Sequence, residues 1–150
     1  MAKKGLFYIG FSILSVAGAV TYLSWAGPNS AEVIKAGSML YETHCASCHG
    51  KGLEGETADW RDFKEDGTLP APPHDASGHT WHHDDQLLFD YTKKGGAAMV
   101  PDGFKSAMPG FQDKLRDDEI WAILAFIKSN WSQDIQDKQT SRSEAKTRTN

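Results

Sequence analysis

The chain has only two cysteines in 150 residues, Cys45 and Cys48. That excludes a disulfide framework and a four-cysteine zinc site. It lacks an excess of basic residues: the formal net charge is −4, which argues against nucleic-acid binding. Between residues 30 and 130 there are ten lysines and arginines against seventeen aspartates and glutamates. No alternation of strand-like and helix-like segments is visible, so the paired cysteines have no thioredoxin-like setting. The residues after 131 are almost free of large apolar side chains. They predict a polar, flexible tail over 132–150, or at most an exposed, frayed helix.

What is present centres on Cys45-Ala46-Ser47-Cys48-His49. This is C-x-x-C-H, the attachment pattern of a c-type haem. Thiols three positions apart share one face of a helical turn. Each can add to one vinyl group of a single porphyrin, and His49 is then carried under the iron as proximal ligand. A thiol–disulfide pair and half of a zinc site are the competing readings of two cysteines alone.

A second chemical stretch runs from Ala97 to Phe111 and holds two methionines, Met99 and Met108. A thioether opposite histidine is a soft, neutral ligand that favours Fe(II). Met108 precedes Pro109, which stiffens its backbone in an extended form. Met108 is therefore favoured as distal ligand over Met99. Met39 lies too near Cys45 in sequence to reach the opposite haem face.

The N-terminus carries Lys3 and Lys4, then 21 residues from Leu6 to Ala26 without a charged side chain. As a helix that run spans ~30 Å, one hydrocarbon core. The lysines should stay cytoplasmic, which sends the rest of the chain across the inner membrane. Residues 1–28 thus read as a transmembrane anchor, with Tyr22 and Trp25 at the outer interface. Ser24-Trp25-Ala26 leaves open a signal peptide cleaved after Ala26. Either way the domain faces the periplasm.

Between these features the pattern predicts helices over Ala31–Thr43, about Asp84–Lys94, and Leu115–Asn130. The first is capped by Asn29 or Ser30, and its Gly37 suits a close helix crossing. The second turns Leu87, Leu88 and Tyr91 inward. The third carries Ile120, Ile123, Leu124, Phe126 and Ile127 as an apolar stripe. Gly50–Gly78 reads as a long loop without regular structure. In it, the carbonyl of Pro72 or Pro73 is a candidate to accept the free ring N–H of His49, the alternative being that the prolines only make a rigid loop corner. Trp60, Phe63 and Leu69 are candidate covers for the haem edge. Trp81 is a candidate indole donor to a propionate. His79, His82 and His83 could in principle hold a metal, but no fourth ligand is evident.

In this order the pieces resemble the class I cytochromes c of bacteria, in particular small, membrane-anchored, mono-haem ones. The resemblance runs over residues 31–131 and rests on Gly37 and Tyr41, on Cys45–Gly50, on Met108-Pro109-Gly110-Phe111 and on the final aromatic helix. It implies an all-α fold of three to four helices around one covalent haem c, as a cytochrome domain over 29–131. It implies Cys45 and Cys48 as thioether attachments, His49 as proximal ligand and Met108 as distal ligand. The implied activity is electron transfer between respiratory redox partners rather than enzymatic turnover. The acidic domain should favour partners with basic docking surfaces. The alternatives are a cytochrome subunit fixed in a dehydrogenase or oxidase complex, and a haem-based sensor or enzyme. One departure stands out: Arg116 occupies the place where a serine, threonine or aspartate cap is usual before the last helix.

Overall fold

The computed structural model describes residues 27–148. The anchor reading of residues 1–26 lies outside the described residues. Among those described, no helix is long and apolar enough to cross a membrane.

Helix α1 covers Ala31–His44, and the Ser30 hydroxyl caps it by accepting the Val33 N–H. Helix α2 is the single turn Ala46–His49. Helix α3 covers Asp85–Lys94, with the Asp84 carboxylate accepting the Leu87 N–H. Helix α4 covers Asp117–Ser129 and helix α5 covers Gln133–Arg148. Among the described residues the only strand-like pairing is an isolated bridge between Thr68 and Lys105.

The core forms where α1 crosses α4. Tyr41, Ile120 and Ile123 are almost fully buried there, joined by Leu124, Ile127 and Trp131. Gly37 makes the crossing close: a Cβ on it would overlap the Ala122 carbonyl oxygen. At Arg116 the missing cap is supplied from the other direction. The Glu119 carboxylate reaches back to accept the Arg116 N–H at 2.9 Å, one half of a capping box.

Two expectations are corrected. In α3 the buried residues are Phe89 and Thr92, whereas Leu87 is exposed. The helix packs on α4 and stacks Phe89 on Trp121 at 4.6 Å, a rotation of the buried face by about one residue. The second correction concerns the tail, which over Gln133–Arg148 is helix α5 and is not wholly exposed. Its surface is knitted by pairs four residues apart, such as Asp134–Lys138 at 2.7 Å and Gln133–Asp137 at 2.8 Å. Its anchor is polar. Gln139 is fully buried, and its amide N–H groups reach the His83 carbonyl and Asp85 Oδ1.

Candidate cofactor-binding site

Cys45 is the corner at which α1 ends and α2 begins. Its N–H donates to Tyr41 O at 2.8 Å, and its own carbonyl accepts from His49 N at 2.9 Å. One turn of helix thus carries Cys45, Cys48 and His49 together. Gly50 stops the turn at φ +79°, a left-handed value that glycine adopts without Cβ strain. The Tyr41 hydroxyl donates to the Gly50 carbonyl at 2.9 Å and so ties the turn to the core.

Neither thiol is in a disulfide; Cys48 is exposed and Cys45 half-buried against the apolar cluster. Burial, helped by the nearby Cys48, pushes the Cys45 thiol up to about 11.

His49 is buried, and its Nδ1 lies 2.8 Å from the Pro72 carbonyl oxygen. A carbonyl can only accept, so Nδ1 carries the proton and Nε2 keeps its lone pair. Burial lowers the His49 pKa, against the pull of the Pro72 bond, and favours this neutral form. The loop delivers Pro72 to this point through its backbone. Glu56 N–H donates to Ala71 O at 2.9 Å, and Gly55 N–H to His49 O at 2.8 Å. Leu53, buried at φ +69°, presents a carbonyl that accepts from both His74 N and Asp75 N. The left-handed conformation costs this residue about 1–2 kcal/mol.

The methionine segment is pinned against the end of α3. Gly96 N–H donates to Met108 O at 3.0 Å, and Phe111 N–H reaches the Thr92 and Lys93 carbonyls. Gly95, at φ +85°, allows the approach; a Cβ there would lie 2.5 Å from Gly110 N. The Met108 side chain packs against the same apolar cluster as Cys45. Met99 is half-buried but is not among the side chains packed on that cluster, and Met39 is 59% exposed.

The family model for cytochrome c matches residues 34–131. The chain belongs to the cytochrome c family. Comparison with curated proteins and with solved structures returned no match. Cytochromes c bind haem c and carry electrons, and this one has the paired cysteines in the required spacing. Further features of this cytochrome fit such a group. His49 offers a free Nε2 lone pair beside two uncombined thiols. Trp81 Nε1 and His79 Nδ1 are buried without a hydrogen-bond partner among the described residues. A buried orphan donor costs about 1–3 kcal/mol. A carboxylate brought by a bound group is a suitable acceptor for an indole N–H.

The aromatic side chains of the loop and the histidine run have neighbours of their own. Trp60 is buried, but it stacks on His79 at 5.0 Å with the Arg61 guanidinium over its ring at 4.0 Å. Phe63 is 60% exposed and faces another exposed ring, Phe104, at 6.4 Å. The histidine run does not converge as a metal site: among the described residues no group of three or more such side chains does. His74 and Gln139 were not signalled by the sequence as site or packing residues.

Proposed function

We propose that this cytochrome is a membrane-anchored, mono-haem electron carrier in which His49 and Met108 are the axial ligands. When bound, the haem supplies a one-electron Fe(III)/Fe(II) couple. Cys45 and Cys48 would hold it through two thioethers. His49 would ligate through Nε2, and Met108 would fill the opposite position with a neutral thioether.

The observation that carries this reading is the His49–Pro72 bond. It fixes the tautomer, raises the basicity of Nε2 and restrains one edge of the ring. Met108 supports it from the other side, because its backbone is bonded at Met108 O and its side chain packs on the cluster that holds Cys45. Two protein ligands leave no open position for a substrate, which favours electron transfer over turnover. Lys3, Lys4 and the uncharged run after them favour an inner-membrane anchor with the domain in the periplasm. The acidic excess over residues 30–130 favours redox partners with a basic surface.

A pyridine haemochrome assay on exported protein tests the reading. One haem c per chain is expected, retained through acid–acetone extraction. The double variant Cys45→Ala, Cys48→Ala should lose it to the solvent. A colourless, fully exported wild-type protein would end the proposal.

A further inference from the structure

The proximal side holds a second histidine that the pattern of a haem-binding turn does not require. The His74 and His49 rings lie face to face, 4.1 Å between centroids and 20° from parallel. We propose that His74 is a positioning residue that sets the plane of the His49 imidazole. The proposal rests on His49 being an axial ligand, as above.

An imidazole bound through Nε2 keeps one soft torsion, rotation about the metal–nitrogen axis. The Pro72 carbonyl restrains one edge of the ring. His74 occupies the volume that the ring's face would sweep on turning. An edge restraint and a face restraint act in different directions, so together they leave the plane fixed.

The backing ring is itself held on several sides. His74 Nδ1 lies 2.8 Å from the hydroxyl oxygen of Thr80, which is buried. His74 N–H donates to Leu53 O at 2.8 Å. His74 O accepts the indole N–H of Trp131 at 2.7 Å, which links it to the end of α4. The Tyr41 ring meets it edge-on, 6.3 Å between centroids. A ring bonded this way, at both backbone and side chain, is a rigid wall rather than a loose filler. The strained Leu53 is spent on this wall, since its carbonyl takes the His74 N–H.

The test is the proton NMR spectrum of the oxidised, haem-loaded protein. In low-spin Fe(III) haem the order and spread of the haem-methyl shifts depend on the plane of the axial imidazole. His74→Ala should change that pattern while haem attachment is retained. His74→Phe keeps a flat face but loses the Thr80 bond, and should move the pattern by less than His74→Ala does. Thr80→Val frees the backing ring and should move the pattern in the direction of His74→Ala, by less. A His74→Ala protein with the wild-type pattern would overturn the proposal. So would a His74→Phe protein altered as much as the alanine variant. If His74→Ala is not recovered with haem, the other two variants decide: the wild-type pattern in either one overturns it. A wild-type spectrum without low-spin histidine ligation would instead sink the ligand assignment, and is told apart by appearing before any substitution.

Discussion

Gly37 and the carbonyl of Ala122 touch where α1 crosses α4, with no room between them for a methyl group. Alanine in the middle of a helix ordinarily gains about 1 kcal/mol over glycine. Here the sign should reverse. Gly37→Ala must push two backbones apart, an overpacking that costs typically about 1–3 kcal/mol. Urea unfolding followed by far-UV circular dichroism checks this: the midpoint should fall. A midpoint that rises would mean that the crossing is looser than described.

The two methionines should separate cleanly. Met108→Ala is expected to abolish the weak near-infrared band of methionine-to-iron(III) ligation and to lower the reduction potential, because a thioether favours Fe(II). Met99→Ala should leave both unchanged. The absorption spectrum and a redox titration decide it, and the opposite result would reassign the distal ligand.

Gln139 is the buried side chain of helix α5. Gln139→Ala removes the donors that satisfy the His83 carbonyl and Asp85 Oδ1. Asp85 is also paired with Lys128 Nζ at 2.7 Å, so its carboxylate keeps one partner. The loss should be about 1–3 kcal/mol and should open α5 to limited proteolysis ahead of the rest. An unchanged digestion pattern would show that the helix is held by Ser143 on the Asp85 N–H and Ile135 on the core instead.

Acid should weaken the fold through His79 and His83. Burial lowers both below the ordinary 6.5, and neighbouring histidines push the same way. Between each lowered folded value and 6.5, the unfolded chain binds protons that the folded chain refuses. Stability therefore holds above that unfolded value and is lost as the pH drops beneath it. His79→Phe keeps a ring on Trp60 but cannot titrate. Its urea midpoint should fall less steeply from about pH 8 to about pH 5. An identical slope would remove His79 from the account.

Much of the turn around Cys45 was legible because its constraints are local. Cys45, Cys48 and His49 are neighbours, and a buried imidazole needs a carbonyl that the proline run supplies. The crossing at Gly37 and the Ser30 cap were legible for similar reasons: a costly residue and a short-range hydrogen bond. Leu87 was misplaced because a three-turn helix with Leu87, Leu88 and Phe89 in succession has no single stripe; packing against Trp121 chose the face. Helix α5 was hidden because sequence patterns find helices by apolar periodicity, and its buried residue is a glutamine. His74 was hidden because its partners Leu53, Thr80 and Trp131 meet it only in three dimensions.

The loop between α2 and Pro72 is closed at its neck. The Glu56 N–H meets the Ala71 carbonyl, and the Glu56 carboxylate accepts the Ala71 N–H at 3.0 Å. Between those two residues the chain makes an excursion that touches the rest of the fold at Trp60 on His79 and at Thr68 beside Lys105, and it is pinched off before the chain reaches the proline that serves His49. Extra residues could be spliced into it, or some removed, without disturbing the imidazole below. Doubling its length would add only about 0.6 kcal/mol of closure entropy. It is the natural place for such a protein to vary its outline while its chemistry stays put.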